Sequence, residues 1–299
     1  MTLVVGCATR DIGFLVSDTL LSHTFQLNGH LGQVNGQFHA LKIQIINPSL
    51  AVAFAGDDAA ASCSLIRELH ARINAKTAID PCEQLFQLAS DFAAAPRAGQ
   101  PPDSDFLVLQ LIQGEPKLAK VTRYGVRYCQ RAYIGDGGEY KRMKGLQRPY
   151  IAPAVQHVQQ PDGTFRASPL VLSEGEIEFA EVSNAMEALT HGRRSGSVGA
   201  IAGCVTRVVN ARISRELEYL QSVEASLTPW EGSSGFSFMA SNSGIRGVGI
   251  YYRSGEMGFL FIVGDEMPCR KEYASTIDHF IEIARTEYGL NLTGGTWKD

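Results

Sequence analysis

Thr2 has the clearest chemical potential of any residue in the sequence, because it directly follows Met1. An initiator methionine is generally removed before a small residue, and its removal here would leave a hydroxyl and a free α-amine on Thr2. An α-amine has a pKa of about 7.7–8, so a good fraction of it is neutral near pH 7 and can accept the hydroxyl proton. Thr2 would then carry both a nucleophile and its base. The alternative is an ordinary N-terminus, since many proteins begin with Met-Thr.

The elements that would position Thr2 are two short β-rich runs. Residues 3–8 and 12–17 flank a turn at Arg10 and Asp11, a pattern that predicts a β-hairpin leading to Asp18. Two further apolar runs, HALKIQII and LAVAFAG, are separated by Asn47-Pro48-Ser49, which favours a turn. The first of these predicted strands carries Lys42, and the second ends at Gly56.

The rest of the chain predicts blocks of helices and strands. Asp57 or Asp58 can cap a first helix, and Asp80-Pro81 can begin a second. Strands are predicted at 105–112, 117–122, 126–134, 235–241, 246–252 and 258–263, and helices within 135–145, at 197–222 and at 269–288, the last ended by Gly289. Such segregated blocks favour an α+β fold in which antiparallel sheets pack on each other with helices outside.

Composition excludes several classes of protein. The 299 residues include no run of 18 apolar residues, so no membrane span is expected. The net charge is −4 and no Lys/Arg cluster stands out, which argues against nucleic-acid binding. The N-terminus lacks the features of a secretory signal, and the six cysteines are scattered, so a reducing cytoplasm is expected. Zinc-type spacing and phosphate-binding motifs are absent, so neither a metal nor a cofactor is predicted.

Residues 2–145 resemble the proteasome β-subunit family of N-terminal-nucleophile hydrolases, which includes the bacterial proteasome-like peptidases. The family pattern is matched in order by Thr2, Asp18, Lys42, Pro48 and Ala55-Gly56 with the helix that follows. The segment between Asp18 and Lys42 is about eight residues longer than the family pattern. The excess falls in a Gly- and Asn-rich stretch where an insertion is tolerated.

The resemblance implies a fold and a domain organisation. The expected fold is the four-layer αββα sandwich of this class, with two antiparallel sheets between helix layers. A single domain is expected over 1–299. It would carry insertions at 19–37 and 146–180 and an added C-terminal helix at 269–288. Burial of both sheets and contact between subunits would account for a charged fraction of only 19%.

The resemblance also assigns roles to the matched residues. Thr2 would be the nucleophile, and the positive charge of Lys42 would favour loss of its hydroxyl proton. Asp18 would hold the Lys42 ammonium through a charge-assisted contact. Gly56, which has no Cβ, would bring its N–H to the substrate oxyanion. The alternative for Asp18 and Lys42 is a solvated turn residue and a lysine at a strand edge.

Two later family positions are matched less well. Glu231 and Ser234, in the segment 230–236, are the best candidates for an Asp and a Ser that support the α-amine. Glu231 is one CH₂ longer than the family's Asp, and Ser195-Gly196 competes for the same loop. Asp136 stands where the family has a Ser before a Gly.

The same alignment places five residues around the side-chain pocket next to Thr2. These residues are Leu21, Ala40, Gln44, Phe54 and Asp58. They do not define one substrate preference. For two of them a structural role is at least as well supported, with Phe54 in the core and Asp58 as a helix N-cap.

The function expected from the resemblance is that of a threonine endopeptidase acting on peptide or protein substrates. Relatives assemble into rings that enclose their sites, so a homo-oligomeric ring served by an ATPase unfoldase is expected. One alternative is a catalytically silent scaffold or binding subunit, which the departures at Glu231 and Asp136 would suit. Another is a small-molecule amidase or acyl transferase on the same fold.

Overall fold

The computed structural model of the protein describes residues 2–21, 33–34, 37–56, 58–75, 80–94, 104–151, 155–159, 165–169, 171–191, 205–210, 215–220 and 236–293. Within these residues the fold is a mixed α+β structure, and its strands pair antiparallel. None of the helices in these stretches combines the length and the apolar character that a membrane crossing requires.

The first sheet carries the N-terminal hairpin at its centre. In spatial order its five strands are β11 (Arg131–Gly135), β1 (Leu3–Ala8), β2 (Gly13–Ser17), β14 (Thr206–Asn210) and β15 (Leu217–Tyr219). Strands β1 and β2 pair as predicted, with Val4 opposite Ser17 and Ala8 opposite Gly13. Helices α3 (Gly137–Leu146) and α4 (Glu174–His191) pack on one face of this sheet through an apolar cluster that includes Leu3, Met143 and Met186.

The second sheet is a meander of five sequential strands. Its strands are β6 (Ile43–Asn47), β7 (Leu50–Gly56), β8 (Ser104–Ile112), β9 (Glu115–Thr122) and β10 (Gly125–Cys129). Helices α1 (Ala59–Asn74) and α2 (Pro81–Ala94) cover one face of it through a second apolar cluster. Both helices begin at the predicted caps, since Asp58 accepts a hydrogen bond from the Ala61 N–H (2.9 Å) and Asp80 accepts one from the Cys82 N–H (2.8 Å).

A third sheet follows near the C-terminus. Its strands are β16 (Phe236–Ser241), β17 (Gly247–Tyr252), β18 (Met257–Ile262) and β19 (Arg270–Tyr273). Helix α5 (Ile277–Tyr288) packs on it through Phe280 and Ala284. One 3₁₀ turn, Arg253–Gly255, joins β17 to β18.

Two small antiparallel sheets complete the described elements. One consists of β3 (Leu20–Leu21), β5 (Gln37–His39) and β4 (Gln33–Val34), and the other of β12 (Val155–Gln159) and β13 (Phe165–Pro169). The first begins within the segment 19–37 and ends at His39, and residues 22–32 and 35–36 of that segment are not described. The segment 146–180 contains the β12–β13 pair and the first residues of α4.

The largest apolar cluster joins the three large sheets. It includes Val4 and Leu15 of the first sheet, Ile43 of the second, and Phe238 and Ile250 of the third. This core sits on the sheet faces that the helices do not cover. The core packs β1, β2 and β6 against one another. Thr2 directly precedes β1, Asp18 directly follows β2, and Lys42 directly precedes β6.

Three predicted elements are wrong in extent or type. Residues 126–134 are two strands in different sheets, with the change of sheet at Gln130. The predicted helix at 197–222 contains β14 and β15 in its described part, because β-branched residues such as Val208 pair with β2. The helix predicted at 269–288 begins only at Ile277, since Thr276 caps it and 270–273 pair with β18 as strand β19.

Candidate functional site

Thr2 is fixed by the end of strand β11. Its carbonyl oxygen accepts a hydrogen bond of 2.8 Å from the Asp136 N–H. Gly135 lies against the same oxygen with a φ of +96°, and a Cβ built on Gly135 would be 1.8 Å from it. Only glycine permits both this backbone conformation and this approach, so the residue sequence at 135–136 sets the position of Thr2.

Asp18 lies directly after β2 and is fully buried. Its Oδ1 accepts hydrogen bonds from the Thr2 hydroxyl (2.7 Å) and from the Leu3 N–H (3.1 Å). The Ser17 hydroxyl donates to the Asp18 carbonyl oxygen at 2.7 Å. The pairing of β1 with β2 therefore brings a carboxylate to the first residue of the hairpin from 16 positions away.

Lys42 lies just before β6, and its side chain is also fully buried. Its Nζ donates to Asp18 Oδ1 at 2.9 Å and is in close contact with the Thr2 hydroxyl oxygen and the Leu20 carbonyl oxygen. An ammonium has three N–H donors, so these three oxygens satisfy all of them. Burial lowers the pKa of Lys42, and the adjacent Asp18 carboxylate acts in the opposite direction.

Each of these three side chains contacts the other two. The Thr2 hydroxyl donates to a carboxylate and accepts from an ammonium, both of them removed from water. A buried ion pair of this kind seldom adds net stability over apolar residues, because desolvation offsets its attraction. A buried lysine whose pKa is lowered, placed against a hydroxyl, marks a candidate functional site. Within this arrangement the Lys42 ammonium can stabilise negative charge on Thr2 Oγ1.

Gly56 is the last residue of β7 and pairs with Ser104 of β8. Its neighbour Ala55 lies close to the Thr2 end of β11, because a Cβ built on Gly135 would be 3.4 Å from the Ala55 Cβ. The end of β7 therefore reaches the neighbourhood of Thr2. The role of the Gly56 N–H as an oxyanion donor stays a prediction.

Two of the five predicted pocket residues have the structural roles that the sequence also allowed. Phe54 is 2% exposed and belongs to the cluster beneath α1 and α2. Asp58 is the N-cap of α1. Core packing accounts for Phe54 and helix capping accounts for Asp58, without a ligand at either residue.

Of the other three pocket candidates, Ala40 and Gln44 lie near the start of β6, and Leu21 lies in β3. Ala40 is buried, and its N–H donates to the Thr19 carbonyl oxygen at 2.9 Å. Gln44 is buried, with its Nε2 3.8 Å from Cys63 Sγ and its Oε1 without a hydrogen-bond partner among the described residues. Leu21 pairs with Phe38 in the small sheet, and its side chain is not described.

The later family positions cannot be placed. Glu231, Ser234 and the competing Ser195-Gly196 lie outside the described residues. Asp136 is described, and its carboxylate accepts hydrogen bonds from the Gly138 N–H (2.8 Å) and the Glu139 N–H (3.1 Å), which makes it the N-cap of α3. Its backbone N–H donates to the Thr2 carbonyl oxygen.

Sequence reasoning missed a buried pair beside the site. Thr19 Oγ1 and His39 Nδ1 are 2.9 Å apart, and each residue is 2% exposed. Burial and the Lys42 charge lower the pKa of His39 to about 4, so the ring is neutral near pH 7. The pair ties β5 to the segment between Asp18 and Leu20. A lone histidine in a polar stretch gives no periodic signal that could have revealed it.

The described residues include no group of three or more His, Cys, Asp or Glu side chains arranged to hold a metal ion. Comparison of the sequence with models of known protein families gives no match. Comparison with curated proteins also finds no match. The function is therefore argued from the geometry around Thr2.

Proposed function

We propose that the protein is an N-terminal-nucleophile amide hydrolase of the proteasome-like type, with Thr2 as the nucleophile. The observation that carries the proposal is the buried contact among Thr2 Oγ1, Asp18 Oδ1 and Lys42 Nζ. Thr2, Asp18 and Lys42 occupy the matched family positions. Asp18 lies 16 residues after Thr2, and Lys42 lies 40 residues after it. The family resemblance predicts this convergence.

The proposed reaction begins after removal of Met1. Thr2 Oγ1 attacks the carbonyl carbon of an amide, and its proton passes to the Thr2 α-amine. Lys42 stabilises the developing negative charge on Oγ1, while Asp18 keeps the ammonium in place. The tetrahedral oxyanion would be bound by the Gly56 N–H.

Collapse of the tetrahedral intermediate completes the acylation. The C–N bond of the substrate breaks, and the α-ammonium returns its proton to the leaving amine. The Thr2 ester that remains is then attacked by water, with the α-amine acting again as the base. Glu231 and Ser234 are proposed to support the α-amine in both steps.

The packing of helices on both outer sheet faces supports the αββα sandwich proposed for this class. Helices α3 and α4 cover one face of the first sheet, α1 and α2 cover one face of the second, and an apolar core joins the opposite faces. By the same resemblance we propose a homo-oligomeric ring that takes peptide or protein substrates, with an ATPase unfoldase as partner. Light scattering coupled to size exclusion checks the ring, since the mass of one chain alone would contradict it.

A catalytically silent scaffold is the second candidate, and one observation favours it. Thr2 is only 5% exposed, so a substrate carbonyl has little access to its hydroxyl in this conformation. Retention of Met1 would also suit a scaffold, because an acylated nitrogen cannot act as the base. Intact mass spectrometry separates the two candidates: loss of one methionine residue fits the hydrolase, and a full-length chain fits the scaffold.

The test of the hydrolase is turnover of a fluorogenic peptide library by wild type, Thr2→Ala and Thr2→Ser. Thr2→Ala is expected to reduce turnover by at least about a thousandfold, as loss of a nucleophile does elsewhere. Thr2→Ser keeps a hydroxyl and should retain measurable activity. Circular dichroism controls for the fold. Equal turnover by wild type and Thr2→Ala would overturn the proposal.

A further inference from the structure

A cleft of about 350 Å³ lies on the helix-covered side of the first sheet, away from the Thr2 hydroxyl. Its floor is formed by β1 around Cys7, and one wall by α3 and α4. The opposite wall consists of β11 together with Lys120 of β9 and Arg127 of β10, at the place where the chain passes from the second sheet to the first. This volume falls in the range of sites for small molecules.

The side chains that line the cleft carry a net positive charge. Four cationic side chains line it, Lys120, Arg127, Arg131 and Lys144, against a single carboxylate, Glu178. Glu178 is engaged by Arg131 in a bidentate pair, with Nε–Oε1 and Nη2–Oε2 distances of 2.6 and 2.7 Å. That pair neutralises the carboxylate and leaves the other cations to set the potential.

The remaining cations are only partly compensated. Lys120 pairs with Asp105 at 3.2 Å, and Lys144 donates to the neutral Gln147 side chain at 2.6 Å. Within the described part of the chain, neither Lys144 nor Arg127 forms an ion pair with a carboxylate. Among the described residues Asp105 and Glu178 offset Lys120 and Arg131, so the excess of positive charge in the cleft comes from Arg127 and Lys144.

The register of the second sheet adds an independent observation. Arg127 and Lys120 are directly opposed across the β9–β10 pair. Like charges in directly opposed positions destabilise a sheet. Asp105 pairs with Lys120 and offsets part of this repulsion, and an anion bound at the rim of the cleft would offset the rest.

The rest of the lining suits a small organic ligand. Tyr133 and Tyr140 stack with ring centroids 3.9 Å apart and planes at 9°, which gives a rigid aromatic wall. The Cys7 thiol lies 3.6 Å from Glu178, and burial, followed by the nearby Glu178 charge, raises its pKa to about 12. The floor thus contributes a neutral thiol and no negative charge.

We propose that this cleft binds a multiply charged small anion, with phosphate or carboxylate groups held by Arg127, Lys120 and Lys144. Arginine presents a fork of N–H donors that matches such oxygens, and the two lysines add point charges. The site is separate from the Thr2 hydroxyl and does not depend on the proposed hydrolase activity. Thr2→Ala should therefore leave it unchanged.

Isothermal titration with pyrophosphate and with citrate tests the site, at an ionic strength held constant with sodium chloride. Wild type should bind pyrophosphate saturably. Arg127→Ala should raise the dissociation constant at least tenfold, as expected for the loss of one charge-assisted contact. Arg123→Ala is the matched control, because Arg123 lies in the same β9–β10 hairpin and stacks on Tyr124 outside the cleft. It should leave the dissociation constant within about twofold.

The two ligands distinguish the recognised chemistry. Equal binding of citrate and pyrophosphate identifies charge as the determinant, and binding of pyrophosphate alone identifies phosphate. Absence of saturable binding for both would overturn the proposal. Equal dissociation constants for wild type and Arg127→Ala would overturn it as well.

Discussion

Gly135 and Thr2 are in backbone contact at the point where β11 ends and β1 begins. The Thr2 carbonyl oxygen lies 1.8 Å from the place that a Gly135 Cβ would occupy, and Gly135 has a φ of +96°. The adjacent Asp136 N–H donates to the same oxygen at 2.8 Å. Strand β11 therefore determines the position of the Thr2 hydroxyl relative to Asp18 and Lys42.

Replacement of Gly135 by alanine should displace Thr2 and destabilise the protein. The added Cβ clashes with backbone, which cannot yield as a flexible side chain could, and the positive φ adds strain of about 1–3 kcal/mol. Gly114→Ala is the matched control, because Gly114 has a φ of +84° but no atom within 4 Å of its Cβ position. Chemical denaturation should show a larger loss for Gly135→Ala. Equal losses for the two variants would show that the contact with Thr2 has no energetic consequence.

Asp18 and Lys42 should be strongly coupled in a double-mutant cycle. Asp18→Asn leaves the buried Lys42 ammonium without its carboxylate, and Lys42→Met leaves Asp18 without its cation, each costing about 3–5 kcal/mol. The double variant should cost less than the sum of the two, with a coupling of about 1–3 kcal/mol in the free energy of unfolding. Additive losses would argue against an ion pair. All three variants are expected to lose peptide turnover.

His39 should make the protein less stable in acid. Its pKa is lowered to about 4 in the folded state, against 6.5 for an unperturbed histidine, so the unfolded chain binds the proton more readily between these values. Stability should therefore fall as the pH decreases from 6.5 towards 4, by about 3 kcal/mol from this group. His39→Gln removes the titration and serves as the reference. The stability difference between wild type and His39→Gln should change in this window, and a constant difference would contradict the assignment.

Asp136 should act on Thr2 through its backbone and on α3 through its side chain. Asp136→Ala removes the N-cap and should cost about 1 kcal/mol, whereas Asp136→Ser retains a capping oxygen and should stay within about 0.5 kcal/mol of wild type. Both variants keep the N–H that donates to the Thr2 carbonyl oxygen. Thermal unfolding and peptide turnover check this separation. Loss of turnover in Asp136→Ser at unchanged stability would assign the carboxylate a direct role in the reaction.

Much of the site region was predictable because local signals agreed with one another. Alternating apolar runs with a turn at Arg10 and Asp11 indicated the hairpin, which is present. The capping aspartates, with Pro81 at the first helical position, located the starts of α1 and α2. The mutual contact of Thr2, Asp18 and Lys42 is what the family resemblance implies, and no local signal predicts it.

The failures occur where tertiary contacts outweigh local patterns. Residues 126–134 look like one continuous strand, but the chain changes sheet at Gln130, and no residue type marks such a change. The apolar residues within 197–222 recur with a helical period, which is why a helix is predicted there. Residues 206–210 instead form a strand, because they pair with β2. The approach of Gly135 to Thr2 joins residues 133 positions apart and has no local signature.

Covalent labelling of Thr2 by a peptide epoxyketone is the most direct test of the central claim. This reagent requires both the hydroxyl and a free α-amine, so a stable adduct reports Met1 removal and nucleophilicity together. Peptide mapping by mass spectrometry is predicted to find the adduct on Thr2 in wild type and to find none in Thr2→Ala or Lys42→Met. An unlabelled wild-type chain that retains Met1, or an adduct confined to another residue, would contradict the account.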